Sequence, residues 1–373
     1  MAAEGRDADA LAAFRQLAAT NPDDHDARLW IARLHERMGH PDLAEPVYRS
    51  VLLEDPASID AALGVASTLL AREEPGEAIG LLTVVEERAP QNTTLLELLG
   101  RAHRQAGRPA RAIQYFERAV AVAPTAGHRL RLEDARRAYL HRIETRGFSE
   151  QFNGATPDGW SGDFSVNYRL RDTLRATGRF ETQRKFGVSD QRGGGGFEWQ
   201  WKSRTILRGQ ALVGPDNVVM PEGDYLGELE HTRGPAVWTA AVRYFDFTGA
   251  RTTIVAPAVT WTASERLWFG LRYAMSWTET STISAAELGQ SAHLRAGYRL
   301  YRRVWVQTGY AAGVEDFENF SIDRIGDFRA NTVSGGVRLD LPTLTSLITT
   351  YERQWRQRNI ALGRVTLSLQ QRF

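Results

Sequence analysis

Four prolines placed at one spacing constrain the fold of this chain more than any other feature. Pro22, Pro56, Pro90 and Pro124 follow one another at intervals of 34 residues. Proline lacks a backbone N–H and clashes with the preceding helical turn, so each one is predicted to end a helix. A unit of this length cannot bury its own apolar face and must stack on its neighbours. The first part of the chain is therefore predicted to be a repeat array.

Other positions recur in the same register and identify the repeat. Alanine stands twelve residues before each proline, a large apolar residue stands eight before it, and small residues occupy the first helix. These positions are Ala10, Ala44, Ala78 and Ala112, then Phe14, Tyr48, Leu82 and Phe116, then Ala32, Ala66 and Gly100. Small residues let paired helices approach closely, and the large residues fill the space between repeats. This is the tetratricopeptide pattern, and it predicts a single helix at about residues 7–20 followed by three helix pairs.

The array is expected to end in a cap and to present a groove. Residues 127–143 are predicted to form the capping helix, because Leu132, Ala135, Tyr139 and Ile143 share one face. The first helices line the concave side of such stacks. The residues predicted on this groove are Asp26, Leu29, Arg33, Arg37, Asp60, Glu97, Arg101 and Arg104. They form either a docking surface for a periplasmic partner or polymer, or a solvated face of mixed charge.

The chain changes character near residue 143, where helical spacing gives way to Gly, Thr, Trp, Tyr and Val in period-two alternation. The predicted domains are therefore 1–142, the repeats, and 143–373, a strand-rich domain. No run approaches 18 apolar residues, so no transmembrane helix is expected. An alternating sequence can nevertheless form a transmembrane β-barrel, whose hydrophobicity is hidden from window averages.

The polar faces of the alternating segments carry many arginines, as the wet lumen of a barrel would. They are Arg169, Arg175, Arg179, Arg208, Arg243, Arg272, Arg295, Arg299, Arg338 and Arg364. In the segment 361–373 the alternate residues Val365, Leu367 and Leu369 form the opposite, apolar face.

The connections between strands are predicted to alternate in length, as short periplasmic turns and longer external loops do. The short turns are expected near 170–172, 202–204, 232–235, 262–265, 300–303 and 341–344, and the longer loops near 153–160, 186–196, 213–224, 248–252, 278–287, 315–327 and 356–361. This pattern gives about fourteen strands in an antiparallel barrel, from 143–152 to 361–373, with both ends in the periplasm. The glycines of 193–196 are assigned to a mobile external loop, and Pro257 suggests a bulge.

The last residue and the aromatic residues support an outer-membrane location. Barrels of this class typically finish on an aromatic residue that the barrel-assembly machinery reads, and Phe373 is the predicted signal. Aromatic belts are expected at the outer edge from Trp160, Trp277 and Trp355, and at the periplasmic edge from Trp238, Tyr301 and Phe373. The first residues lack the apolar region of a signal peptide, so a leader and further repeats are expected to precede this sequence.

Several residues of the second domain resemble those of the YaiO family of outer-membrane proteins. They are Gly147, Phe148 and Ser149, the loop from Pro215 to Glu222, then Glu228 and Glu230, and the final strand from Gly363 to Phe373. The resemblance covers roughly residues 145–373 and implies an outer-membrane barrel. The order of repeats and then barrel also looks like that of the export porins for poly-N-acetylglucosamine and cellulose. That layout implies guidance of a nascent polysaccharide by the repeats.

The leading hypothesis is thus a porin, or an accessory protein, for polysaccharide secretion. Tryptophans are expected to stack on sugar rings and arginines to pair with acidic sugars. The lumen candidates are Arg175, Arg179, Arg208, Trp268, Arg272, Arg295, Trp305, Arg338 and Arg364. Two alternatives remain open. In a non-conducting assembly or docking protein, these side chains would fill a closed lumen. The other alternative is an outer-membrane lipid hydrolase.

Catalysis is not expected. A hydrolase needs a nucleophile within hydrogen-bond reach of a histidine, and the second domain contains only His231 and His293. His231 lies at a short turn, and His293 shares the lumen face of Arg295. The chain has no cysteine and no cluster of metal ligands, so neither a cofactor nor a metal is expected. A net charge of +1 gives no reason to expect nucleic acid as a partner. The partners expected for an outer-membrane barrel of this kind are lipid and secretion components.

Overall fold

The computed structural model describes residues 2–153, 157–281, 283–313, 329–357 and 360–373. The chain divides into two compact units, Met1–Tyr139 and Leu140–Phe373. Within the described ranges, no helix is both long enough and apolar enough to cross a membrane.

The first unit is helical, and the tetratricopeptide prediction is confirmed. The helices described in it are α1 Ala2–Thr20, α2 His25–Arg37, α3 Pro41–Glu54, α4 Ile59–Ala71, α5 Pro75–Arg88, α6 Thr93–Gln105, α7 Pro109–Val122 and α8 Ala126–Tyr139.

Local signals explain why each pair begins and turns where it does. The side chains of Asp24, Ser58 and Asn92, again 34 residues apart, accept hydrogen bonds from the backbone N–H three residues later, at 2.9, 3.3 and 3.1 Å. These N-caps satisfy amides that the first helical turn leaves unpaired. A second series, Pro41, Pro75 and Pro109, occupies the first position of the second helices, where a missing N–H has no consequence.

Aromatic rings lie on glycines between adjacent helices. A Cβ added to Gly64 would lie 2.4 Å from the Tyr48 ring, and one added to Gly100 would lie 2.6 Å from Phe116. The array therefore packs ring against backbone at these positions, and Tyr48 and Phe116 are both 1% exposed.

Two expectations for the array are wrong. The capping helix ends at Tyr139, so Ile143 lies in the first strand and not on the buried helical face, whereas Leu132 and Ala135 do pack beneath Phe116. Leu29, expected on the groove, is buried in the main hydrophobic core. Its apolar side chain packs between helices, while its polar neighbours remain at the surface.

The second unit is a closed antiparallel barrel, and the predicted fold class is confirmed. Over the described residues its fourteen strands are β1 Arg142–Phe152, β2 Gly159–Arg171, β3 Leu174–Lys185, β4 Val188–Lys202, β5 Thr205–Val213, β6 Gly223–Arg233, β7 Ala236–Phe247, β8 Ala250–Ser264, β9 Leu267–Thr280, β10 Ile283–Tyr301, β11 Val304–Gly313, β12 Ala330–Asp340, β13 Thr345–Arg356 and β14 Ala361–Arg372. Each strand pairs with the next along the chain, and β1 pairs with β14 to close the ring.

Short turns join the strands at the barrel end where the chain enters and leaves, close to the predicted positions. We call this the short-turn end, and the opposite end the far end. At the far end three predicted loops are wrong, because β3–β4, β7–β8 and β9–β10 are joined by only two residues each. Phe186 and Gly187 both have positive φ, at 55° and 82°, which is the geometry of a tight hairpin turn.

The glycine run 193–196 belongs to strand β4, which corrects its assignment to a mobile loop. A Cβ on Gly194 would lie 2.0 Å from the carbonyl oxygen of Ala211 on β5, so the run permits close strand approach. The bulge expected at Pro257 is also wrong within the described pairs. Pro257 pairs with Ala240, and the β8–β9 register is the same on both sides of it. The predicted loop near 315–327 lies outside the described residues.

The two faces of the barrel wall differ as predicted. On β14, Val365, Leu367 and Leu369 are about half exposed on the exterior, while Arg364 and Ser368 are buried on the lumen side. An apolar exterior that encircles a closed barrel suits lipid rather than water. The fold thus fits an outer-membrane location.

Candidate functional site

One part of the lumen wall, from β13 through β1 to β7, is cross-linked by ion pairs. Glu150 on β1 accepts a hydrogen bond from Arg364 on β14 at 2.6 Å and lies 3.3 Å from the ammonium nitrogen of Lys185 on β3. The three side chains are at most 5% exposed. Buried charges of this kind persist only when paired, so these residues fix the barrel seam.

A second cluster continues around the same wall. The carboxylate of Asp224 on β6 lies 2.6 Å from the guanidinium of Arg243 and 3.0 Å from that of Arg192. Arg192 also reaches Glu181 at 2.5 Å, and Glu181 lies 2.6 Å from Arg179. Every ion pair in both clusters joins residues on the same strand, on adjacent strands or on strands one apart. The clusters therefore line the wall and do not bridge the lumen.

Most of the predicted lumen arginines belong to this cross-linked wall. Arg208 contacts Glu198, Glu228 and Glu230 at 3.0, 2.6 and 2.9 Å. Arg175 donates to Asn167 at 2.8 Å and to the backbone oxygen of Leu140 at 3.1 Å. Arg179 and Arg364 have the carboxylate partners given above, and Arg338 on β12 pairs with Asp340 at 2.9 Å. They lie on the lumen face as the sequence predicts, but each already has an internal hydrogen-bond or ion-pair partner.

Four predicted residues come together on the opposite wall. Trp268 and Arg272 on β9, Arg295 on β10 and Trp305 on β11 line one cavity of about 480 Å³. We call this the tryptophan cavity. Hydroxyl side chains of β8 complete it, namely Thr260, Thr262 and Ser264.

Glycine shapes the tryptophan cavity. A Cβ on Gly297 would lie 2.3 Å from the indole nitrogen of Trp268, so the indole lies against bare backbone of β10. Arg295 is in register with Gly270 on one neighbouring strand and Gly309 on the other. No side chain from either position fills the space beside its guanidinium.

A folded loop, residues 214–222 between β5 and β6, was not predicted to bind the wall. Asp190 on β4 accepts hydrogen bonds through Oδ2 from the backbone amides of Val218, Val219 and Met220, at 3.1, 2.5 and 2.8 Å. Val219 and Met220 are buried. Asp190 was missed from the sequence because the neighbouring glycine run was assigned to a loop. In strand β4, Asp190 lies two residues from Arg192 and therefore shares its lumen face.

Four of the predicted groove residues form ion pairs. Arg33 donates to Asp60 at 2.8 Å, and Arg37 donates to Asp7 on α1 at 2.8 Å. Glu97 accepts from Arg131 and lies 3.1 Å from His128, both on α8. These bonds connect neighbouring repeats.

Three further groove residues differ in exposure. Asp26 and Arg104 are exposed, while Arg101 is half-buried. Burial, together with the nearby Arg104 and Arg131, lowers the pKa of Arg101 below its ordinary value. The groove is therefore a surface of mixed charge whose most basic part lies on α6 and α8.

Phe373 lies at the short-turn end beside the start of β1. Its backbone N–H and C=O both pair with His141, at 3.1 Å, and the two rings are 5.5 Å apart. Trp238 and Tyr301 lie near the same end, whereas Trp160, Trp277 and Trp355 lie near the far end, and all five are exposed. The belts thus have the predicted arrangement.

The barrel histidines lie on different faces. His231 is on the exterior, with Nδ1 3.1 Å from the hydroxyl of Thr205, and His293 is on the lumen face, in register with Arg272. Within the part of the chain that the structure describes, no group of three or more His, Asp or Glu side chains could hold a metal ion.

Two family models match the array, and both are described as tetratricopeptide repeats. One matches residues 1–67 and the other residues 63–127. A search of curated proteins finds no match.

Three solved structures illustrate what the chain is similar to. A tetratricopeptide-repeat protein of Thermus thermophilus is 21% identical over 36% of this chain and 74% of its own, with a TM-score of 0.34. PilF of Pseudomonas aeruginosa is 23% identical over 35% of this chain and 60% of its own, with a TM-score of 0.33. A bacterial polysaccharide outer-membrane secretin is 9% identical over 63% of this chain and 99% of its own, with a TM-score of 0.43.

Proposed function

We propose that this protein is an outer-membrane barrel of a polysaccharide-secretion system, acting as the conduit or as an accessory to it. The tryptophan cavity carries this proposal. Indole faces and clustered hydroxyl groups match the apolar faces and hydroxyl groups of sugar rings. The layout of repeats before a barrel, and the resemblance of the barrel to the YaiO family, support the same role.

The proposal places the repeats in the periplasm and assigns Phe373 to recognition by the barrel-assembly machinery. The groove then docks secretion components or the polymer itself. The barrel is proposed to have no catalytic role, because His231, which contacts the hydroxyl of Thr205, has no acidic side chain bonded to it in the described residues.

Conductance in planar bilayers tests the conduit. The purified chain should form channels that a soluble oligosaccharide blocks from one side. Trp268→Ala together with Trp305→Ala should weaken the block, whereas Trp261→Ala on the exterior of β8 should leave it unchanged. A barrel that never conducts contradicts the conduit.

A second function, a non-conducting docking scaffold, is favoured by the loop 214–222. Three amide bonds to Asp190 hold this loop on the barrel wall, and a held loop narrows a lumen. The array would then carry the function. Under this scaffold hypothesis the full chain should retain a periplasmic protein in a pull-down, and Arg104→Glu on the groove should release it. Arg111→Glu, on the second helix of the repeat, is the matched control. Retention of no protein, or equal retention by Arg104→Glu, argues against the scaffold.

A further inference from the structure

Charge is unevenly distributed around the lumen. On β8–β11 the lumen-facing residues with a formal charge, among those the structure describes, are Arg272, Arg295, Arg299 and Glu287. Glu287 lies eight positions from Arg295 along β10, a separation of about 27 Å in an extended strand. The acidic residues of the lumen are otherwise concentrated on the cross-linked wall.

Within the tryptophan cavity the local balance is positive. Glu265, in the β8–β9 turn, lines the cavity, but its carboxylate lies 3.7 Å from Arg299 and the two charges offset each other. Arg299 in turn lies over the Trp305 ring, with its guanidinium carbon 5.4 Å from the ring centre. Arg272 and Arg295 also line the cavity, and Arg272 lines in addition a neighbouring part of the lumen that contains Asp163 and Glu228.

Unlike Arg179, Arg208 and Arg364, Arg295 has no acidic partner among the residues that the structure describes. It is exposed to the lumen, and it makes no hydrogen bond or ion pair within the described chain. On one side Gly270 leaves space beside Arg295, whereas on the other side the hydroxyl of Ser334 lies against Gly309. An arginine near two indoles that a ligand can approach from the β9 side is suited to a carboxylate on a ring that stacks.

We propose that the tryptophan cavity is a binding site for an anionic, carboxylate-bearing polysaccharide, with Arg295 as the carboxylate ligand and Trp268 and Trp305 as the stacking surfaces. This rests on the proposed function and narrows it to the acidic class of polymer. Sugar rings lie against the indoles, and each passing carboxylate exchanges onto Arg295. A neutral polymer gains the stacking but not the ion pair.

Equilibrium binding to the full-length chain in detergent micelles tests the site. Isothermal titration with a short oligogalacturonate should show binding that weakens as salt is raised, because the ion pair is screened. A maltooligosaccharide of equal length should bind roughly tenfold more weakly, the value of one hydrogen bond to a charged group. Galacturonate monomer separates simple anion binding from recognition of a polymer.

Arg295→Gln should reduce oligogalacturonate affinity by about tenfold and leave maltooligosaccharide affinity unchanged. Arg184→Gln is the matched control, because Arg184 lies on the exterior of β3 and loses the same charge. Arg295→Lys keeps the charge but lacks the planar guanidinium. Its affinity for oligogalacturonate should therefore lie between those of the unaltered protein and of Arg295→Gln.

Equal affinity for the acidic and neutral oligomers overturns this inference while leaving a polysaccharide conduit intact. The same holds if Arg295→Gln and Arg184→Gln behave alike. Absence of binding by either oligomer also overturns it. The bilayer experiment separately decides whether the barrel conducts.

Discussion

Single residues at the helix ends of the array show how backbone geometry selects a side chain. Gly39, Glu73 and Gly107 recur 34 residues apart and all have positive φ, at 83°, 66° and 72°. This left-handed conformation follows the first helix of each pair and costs a non-glycine residue about 1 kcal/mol. Glycine occupies two of the three positions, and Glu73 tolerates the strain in the third.

Gly107→Ala should therefore destabilise the array by about 1 kcal/mol. Gly80→Ala is the matched substitution in the interior of α5, where the added Cβ meets nothing within 4 Å. There alanine lowers the entropy cost of helix formation and should stabilise by about 0.5–1 kcal/mol. Thermal unfolding followed by helical circular dichroism compares them, and a shift of the same sign for both contradicts the explanation.

Two buried histidines should make the array sensitive to acid. Burial lowers the pKa of His35 and of His103, with Arg15 contributing at the first and Arg108 and Arg111 at the second. Arg15 lies 3.3 Å from Nε2 of His35, as expected for a donor to a neutral imidazole.

The folded array thus disfavours protonation that the unfolded chain accepts below about pH 6.5. Stability should be constant above that pH and fall as the pH decreases through 6.5 toward the lowered pKa values. Urea unfolding monitored by the helical signal, at pH 7.5 and pH 5.5, measures this. His103→Gln should reduce the loss at low pH, because it removes one of the two buried imidazoles. Equal stability at both pH values contradicts the prediction.

At the scale of elements, sequence periodicity predicted most of what the structure contains. The 34-residue period located the helix pairs because proline, small and aromatic positions all report the same packing. Strands were found wherever one face was apolar, as in β9, β11 and β14. Three of the errors involve glycine, because the run 193–196 and the turns at Gly187 and Gly249 were assigned to loops. Glycine permits both a loop and a close strand pair, and only the partner strand decides between them.

The residues of the tryptophan cavity were predictable, but the ion pairing of the other lumen arginines was not. Alternation placed Trp268, Arg272, Arg295 and Trp305 on lumen faces. It could not show that the other arginines have acidic partners, because those pairs form between neighbouring strands. Arg364 and Glu150, for example, are 214 residues apart in the chain.

The loop 214–222 is the element whose position depends most on one side chain. Asp190→Ala removes the acceptor for three backbone amides and should release the loop, giving faster proteolysis between β5 and β6 in detergent micelles. If the loop narrows the lumen, channel conductance should increase as well. Asp246→Ala removes an exposed carboxylate on β7 and serves as the control. Unchanged proteolysis would show that Asp190 does not hold the loop.

For the whole molecule, the closed barrel combines a cross-linked wall with a wall that offers a ligand site. Ion pairs concentrated on β13–β1–β7 stabilise the seam where β1 meets β14. The opposite wall carries Arg295, for which the described residues show no ion pair, and the half-buried indoles of Trp268 and Trp305. The helical unit is stabilised differently, by aromatic rings that pack on glycine between its helices.

The placement of the barrel in lipid rests on the identity of its exterior, and two adjacent residues test it. Leu367 and Thr366 lie at the middle of β14, with Leu367 55% exposed on the exterior and Thr366 on the lumen face. In a bilayer, Leu367→Lys puts a charge in hydrocarbon and should destabilise the barrel by about 2–4 kcal/mol. Thr366→Lys puts the same charge in a polar lumen and should change stability little. Reversible unfolding in lipid vesicles measures both variants. If they lose equal stability, or if Leu367→Lys is harmless, lipid does not cover this face.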